Sequence, residues 1–128
     1  MISQEEKLQY WLDSAKNDQE TAQKLFEAGK YDWCLFLWHL VIEKLLKARL
    51  TKENKEVPAI HDLKTLSKNS LIDFTQEDLT WLIEITSFNI SARYDDYKRS
   101  FYLKADREYT TRWSQICLAL ANKIRTEI

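Results

Sequence analysis

The sequence predicts an all-α protein, an up-and-down four-helix bundle with one short extra helix. The 128 residues contain a single glycine and a single proline, so the turn chemistry that β-hairpins need is almost absent. Apolar residues also recur at spacings of three and four along most of the chain, which is typical of amphipathic helices. A chain of this length is expected to form one domain, residues 1–128, with its own hydrophobic core.

The first helix is predicted to begin at Ser3, whose hydroxyl can cap it, with Glu6 three residues on. Gly29 is expected to end it, because glycine tolerates the left-handed conformation common at helix C-termini. Asp18 interrupts the apolar stripe of this helix. Since a carboxylate at a core-facing position needs a partner, we expect an ion pair to a neighbouring helix in preference to a catalytic role.

The second helix is the densest apolar stretch, residues 33–50. It is apolar nearly all round, which indicates a buried central helix, and Leu40 is expected in its core. The run is too often interrupted for a membrane span, by His39, Glu43, Lys44, Lys47 and Arg49.

Three polar residues of this helix, His39, Glu43 and Lys47, share one face. As metal ligands they are too few, so we expect a core histidine, a Glu43–Lys47 pair, and neither a metal nor a cofactor.

The polar run at residues 51–56 and then Pro58 end the second helix. A short helix or turn is predicted next. His61 and Asp62 at its start are either helix-capping groups, which the turn after Pro58 favours, or an acid–base pair.

The third long helix is predicted to begin at Thr75, with Asp78 completing its cap, and to end near Ala92. Its inner stripe is expected at Leu79, Leu82, Ile83, Thr86 and Ile90. A last helix is predicted to begin at Asp106. The segment between them, residues 93–107, has no clear period and is predicted to be a loop.

This loop mixes arginine and lysine with aromatic side chains, a combination that suits phosphate groups and unpaired bases. The candidate binding residues are Arg93, Tyr94, Tyr97, Lys98 and Arg99. In the alternative interpretation the aromatic residues only anchor the loop, and Arg93 pairs with Asp18 or Glu43 inside the bundle.

Charge and cysteine content limit the functional classes. The formal net charge of −1 gives no global field that would attract nucleic acid or a membrane. Cys34 and Cys117 form no CxxC pair and fall among apolar residues, so we expect both to be buried in a reduced cytoplasmic protein. No secretory signal is recognisable at the start of the sequence.

Several short motifs resemble the HEPN domains of prokaryotic nucleotidyltransferase-associated proteins. The matching residues, in chain order, are Trp11, Ala15, Asp18, Ala22, Tyr31, Asp32, Glu43, Lys44, Lys47, Ala48, His61, Asp62, Leu63, Ala92, Arg93 and Tyr94. The resemblance implies a helical bundle that forms homodimers and is often encoded beside a small nucleotidyltransferase in toxin–antitoxin or defence pairs. Many such proteins are metal-independent ribonucleases, in which an arginine is followed a few residues later by a histidine.

Arg93 matches that arginine, but Lys98, Arg99 and Ser100 occupy the positions where the histidine would stand. Lysine and arginine stabilise a phosphate but do not readily transfer protons near neutral pH. The sequence therefore favours a non-enzymatic module that binds a nucleotidyltransferase, a nucleotide or an RNA end, with a divergent ribonuclease toxin as the alternative.

A homodimer is also predicted from the residues themselves. Trp33, Trp38, Trp81 and Phe88 add more apolar surface than one four-helix core is expected to cover.

Overall fold

The computed structural model describes residues 1–128 and contains six helices and no strand. The helices are α1 (Gln4–Glu27), α2 (Tyr31–Lys52), α3 (Leu63–Ser70), α4 (Gln76–Ser91), α5 (Asp95–Lys104) and α6 (Arg107–Thr126). The four longer helices form the predicted up-and-down bundle, so the predicted fold class is confirmed. Helix α2 contacts each of the other five helices and is therefore the central helix, as the sequence indicated.

Helices α1 and α2 form an antiparallel hairpin. Gly29 lies between them with a φ of 74°, a conformation that glycine adopts without strain. At the other end of the pair, the side-chain amide of Gln4 donates a hydrogen bond to the carbonyl oxygen of Thr51 at 2.9 Å. The start of α1 is thereby tied to the end of α2.

The predicted helix caps are present. The hydroxyl of Ser3 accepts a hydrogen bond from the backbone N–H of Glu6 at 3.1 Å, and Asp106 caps α6 in the same way. Thr75 and Asp78 form a complete capping box, in which each side chain accepts a hydrogen bond from the backbone N–H of the other residue. Asp62 caps α3 by accepting from the N–H of Lys64 at 3.1 Å.

The inner face of α4 differs from the prediction in part: Leu82 is completely buried and Leu79 packs against the core as expected, but two other members of the predicted stripe do not. Ile83 and Ile90 are 53% and 49% exposed, whereas Ile85 and Phe88 are fully buried. Helix α4 carries two apolar stripes and packs mainly against α2 and α3. Phe88 on its buried face also contacts α5 and α6: its ring centroid is 5.7 Å from that of Phe101 and 5.8 Å from that of Trp113.

Residues 93–107 are not a loop, because most of them form α5. This helix buries only Phe101 among its own residues. Because Phe101 is the only buried residue of α5, the sequence of this helix has no apolar periodicity from which a helix could be predicted.

The core contains 24 buried apolar residues, and α2 supplies the largest share. Leu40 is not among them and is only half-buried. Trp38 and Phe88 are 6% and 0% exposed, so they belong to the core and add no outer apolar surface, contrary to the premise of the dimer prediction. None of the helices is long and apolar enough to cross a membrane.

Candidate functional site

Arg93 lies just after the C-terminus of α4, and its side chain folds back along that helix. Its Nε donates a hydrogen bond to the carbonyl oxygen of Asn89 at 3.0 Å, and its Nη2 donates to Oδ1 of the same residue. Asn89 itself is 4% exposed. The guanidinium is thus held by a buried amide, while its remaining N–H groups face outward with no protein acceptor.

Two aromatic rings flank this guanidinium. Its Cζ lies 5.7 Å from the ring centroid of Phe36 on α2 and 5.5 Å from that of Tyr94. Phe36 is in turn in edge contact with Trp33, with ring centroids 5.7 Å apart. The Nζ of Lys98 lies 5.9 Å from the Trp33 ring centroid.

These contacts define one continuous patch, which we call the Arg93 surface: Trp33, Phe36, Arg93, Tyr94 and Lys98. Tyr94 is 55% and Trp33 37% exposed, so both rings are accessible for stacking. An exposed guanidinium, an ammonium group and open ring faces are the elements that bind phosphate together with unpaired bases.

The other two candidates from the sequence lie beside this surface. Tyr97 and Arg99 are exposed on α5, and neither makes a side-chain hydrogen bond or ion pair. Asp95 and Asp96 occupy the first turn of α5, where their charge stabilises the helix N-terminus and reduces the local positive charge.

A second polar group lies further along the same face of α2. One oxygen of the Glu43 carboxylate is 2.7 Å from Nδ1 of His61, and the other accepts a hydrogen bond from Lys47 Nζ at 3.1 Å. His39 Nε2 lies 3.0 Å from the carbonyl oxygen of His61. We call these four residues, His39, Glu43, Lys47 and His61, the Glu43 cluster.

Within this cluster His39 is completely buried. Burial lowers the pKa of its imidazole below the ordinary value of 6.5, and this effect exceeds the opposing hydrogen bond to His61 and the charge of Glu43. The positive charges of His61 and Arg93 lower the pKa of His39 further, with smaller effects than burial.

The remaining candidates have structural partners. Asp18 forms an ion pair with Lys44 on α2 at 2.5 Å, so neither Asp18 nor Glu43 is paired with Arg93. Burial raises the pKa of Cys34 to about 11, partly offset by its contact with Ser114, and also raises that of Cys117. No group of three or more histidine, cysteine or acidic side chains is arranged to hold a metal ion.

Sequence reasoning did not assign Trp33, Phe36 or Asn89 to the site. Trp33 and Phe36 stand three apart on α2, and Asn89 stands four before Arg93, so each pair shares a helix face. That spacing could have indicated which residues of each pair are neighbours on one helix. It could not indicate that α2 and α4 meet, because that contact arises only in the tertiary structure.

Comparisons with known proteins give the family. The family model described as "HEPN domain" matches residues 8–127, so the chain belongs to the HEPN domain family. Among solved structures, the chain is similar to the crystal structure of TT1696 from Thermus thermophilus, with a TM-score of 0.84 and 16% sequence identity. The match covers 95% of this chain and 98% of that one, which shows a shared fold. The search of curated protein sequences gave no significant match.

Proposed function

We propose that this HEPN domain is a binding module whose Arg93 surface holds single-stranded RNA or a nucleotide by a phosphate and a stacked base. The observation that carries the proposal is the accessible guanidinium of Arg93, which has no carboxylate partner and lies between the rings of Phe36 and Tyr94. A phosphate can accept its free N–H groups while a base stacks on an exposed ring.

The Arg93 surface carries several exposed rings and cations, which suits an extended strand. Lys98 and Arg93 lie at opposite ends of the Trp33–Phe36 ring pair, so successive phosphates can contact different cations while bases contact the rings. Binding at this surface does not depend on proton transfer, which is consistent with the absence of histidine after His61.

The family suggests the biological setting. We infer that the protein acts as a homodimer with a small nucleotidyltransferase partner, in a cytoplasmic toxin–antitoxin or defence system. Co-purification of a nucleotidyltransferase with the tagged protein from its native cell is the direct test of that partner.

Arg93→Ala tests the binding site itself. Loss of a charge-assisted contact worth about 1.5 to 3 kcal/mol is expected to weaken binding of a labelled single-stranded RNA by about ten-fold or more. The RNA carries 2′-O-methyl groups so that it stays intact, and fluorescence anisotropy gives the affinity. Because Arg93→Ala also removes two hydrogen bonds to Asn89, its melting temperature is expected to fall by a few degrees, and binding is therefore measured at a temperature where the variant is fully folded.

Lys98→Ala and Lys68→Ala form a matched pair of charge removals. Lys68 is exposed on α3 and contacts no part of the Arg93 surface. Lys98→Ala is expected to weaken binding and to reduce its salt dependence, whereas Lys68→Ala is expected to do neither. Equal affinities of the Arg93→Ala and Lys68→Ala variants contradict the proposed site.

A further inference from the structure

Helices α1 and α6 both pack on α2 but make little contact with each other. The gap between them is a cavity of about 330 Å³, with α2 as its floor. Gln19 and Phe26 line it from α1, where they stand seven residues apart. Cys34 and Trp38 line it from α2, four residues apart, and Ser114 lines it from α6. Because these spacings follow the turns of a helix, one continuous face of each helix borders the cavity.

The cavity is uncharged throughout. Its floor consists of the buried side chains of Cys34 and Trp38. Burial raises the pKa of the Cys34 thiol to about 11, so this group is neutral near neutral pH. Amides and hydroxyls form its polar lining: Gln19, Gln23, Thr111, Ser114 and Gln115. No lining residue carries a charge, although 30% of the residues in the chain do. An ion would therefore lose its hydration in the cavity without gaining a partner of opposite charge.

One polar atom beside the cavity has no partner within the protein. Gln19 Oε1 is buried and accepts no hydrogen bond, a cost that buried polar atoms rarely bear. The terminal torsion of a glutamine is broad and roughly two-fold, so a rotation of this amide presents the oxygen to the cavity. An N–H group on a ligand can then donate to it. Binding thus supplies a hydrogen bond that the protein alone does not make.

Two aromatic rings provide the apolar contact surface. Trp38 lies in the floor, and Phe26 forms part of the α1 wall. Phe26 is held by two neighbours: Tyr31, at a ring-centroid distance of 5.4 Å, and Arg107, whose Cζ is 5.7 Å from the Phe26 ring centroid. Aromatic pairs are favourable beyond the area that they bury, so a flat aromatic ligand gains most from such walls.

We propose that the cavity between α1 and α6 binds a small uncharged aromatic heterocycle that carries an N–H donor. The aromatic lining selects the flat apolar body, the absence of charged residues excludes ions, and Gln19 Oε1 selects the donor. The volume is near the lower end of the range of about 300 to 1,000 Å³ for small-molecule sites, so the ligand is small.

This cavity is separate from the Arg93 surface. Phe36, which contacts Arg93, stands two residues from both Cys34 and Trp38. Two residues correspond to about 200° around a helix, so Phe36 and the cavity floor lie on nearly opposite sides of α2. The heterocycle site can therefore be tested independently of RNA binding.

The test uses three uncharged heterocycles with an N–H donor, adenine, indole and nicotinamide, and nicotinate as the charged counterpart of nicotinamide. Titrations followed by two-dimensional proton–nitrogen NMR report the affinity. Through the side-chain amides of Gln19, Gln23 and Gln115 they also report the position of binding. At least one of the uncharged heterocycles is expected to shift these signals, whereas nicotinate is not.

Gln19→Met removes the acceptor and keeps the length of the side chain. It is expected to weaken binding by about three- to ten-fold, which corresponds to the loss of one neutral hydrogen bond. The melting temperature is not expected to fall, because Gln19 Oε1 has no partner to lose. Gln76→Met is the matched control: Gln76 is exposed on α4 and lines no part of the cavity. Ser114→Leu fills the cavity and is expected to abolish binding, with circular dichroism to check that the variant is folded.

Failure of all three uncharged heterocycles to bind overturns the assignment of this cavity, as does binding of nicotinate with the affinity of nicotinamide. Binding that Gln19→Met leaves unchanged also overturns it, whether or not Ser114→Leu folds. Binding that Gln19→Met weakens and Gln76→Met does not supports it. Arg93→Ala is expected to leave heterocycle binding unchanged, so failure of this site and failure of the proposed RNA site are distinguishable.

Discussion

His39 makes the stability of the protein depend on pH in a definite direction. Its pKa in the folded state lies below the ordinary 6.5, so the unfolded chain binds a proton more readily than the folded one. The contribution of His39 to the free energy of unfolding is fully present above a pH of about 6.5. It is lost as the pH falls from there through the lower pKa of the folded state.

We expect the free energy of unfolding, measured with urea at pH values from neutral to mildly acidic, to fall as the pH decreases from about 6.5. His39→Gln removes the titrating group and keeps a donor for the His61 carbonyl, so its curve is expected to be flatter even if its overall stability is lower. A variant that retains the same pH slope shows that another group is responsible.

Single residues could be predicted from the sequence where a short-range rule applied. Ser3, Thr75 and Asp106 were identified as caps because their partners are three residues away. The partner of Asp18 could not be named, since Lys44 lies on another helix. The pairing of His61 with Glu43 was missed for the same reason: 18 residues separate them, and only the path of the chain after Pro58 brings them together.

At the scale of elements, α2 determines the packing of the others. Leu45 is fully buried in this helix, whereas Leu40 is half-buried. Leu45→Ala is expected to lower the free energy of unfolding by about 2 to 5 kcal/mol, through lost apolar burial and the cavity it leaves. Leu40→Ala is expected to cost less than about 1.5 kcal/mol, because a half-exposed site encloses no cavity.

Urea denaturation of both variants measures the difference. Equal losses in the two variants contradict the burial pattern of α2 described above. The comparison tests two predictions separately. The central place of α2 in the bundle was predicted correctly, whereas the burial of Leu40 was not.

The sequence was least informative for α4 and α5. In α4 the stripe through Ile83 and Ile90 and the stripe through Ile85 and Phe88 both satisfy helical spacing, so periodicity alone could not choose the buried one. The buried face is set by tertiary packing, mainly against α2 and α3, and Phe101 of α5, a helix that was not recognised from the sequence, packs on Phe88.

At the scale of the whole molecule, the order of short motifs identified the family although each motif was weak alone. The matched residues lie at structurally demanding places: Asp18 in an interhelical ion pair, Glu43 and Lys47 in the buried polar cluster, and Arg93 at the end of α4. The aromatic members of the Arg93 surface were harder to predict, because Phe36 on α2 meets Arg93 at the end of α4 only in the tertiary structure.

The final prediction is that the protein forms a homodimer through the outer face of α4. Two residues on which the sequence argument depended, Trp38 and Phe88, are buried, but Ile83 and Ile90 leave a different apolar stripe exposed. They stand seven residues apart and so project from the same side of the helix. An apolar stripe of this kind on one helix suits a symmetric contact with its own copy.

Sedimentation velocity is expected to show a dimer for the unaltered protein and a monomer for Ile90→Asp, because the new carboxylate must be desolvated in the contact. Circular dichroism should give the same helix content for both, since Ile90 lies outside the core. Leu71→Asp is the control: Leu71 is 68% exposed at the C-cap of α3 and has a φ of 63°, which aspartate tolerates. It is expected to remain dimeric. A monomer for the unaltered protein at all micromolar concentrations contradicts the predicted dimer. A dimer that Ile90→Asp leaves intact shows that the contact lies on another surface and not on the outer face of α4, where Ile83 and Ile90 are about half exposed.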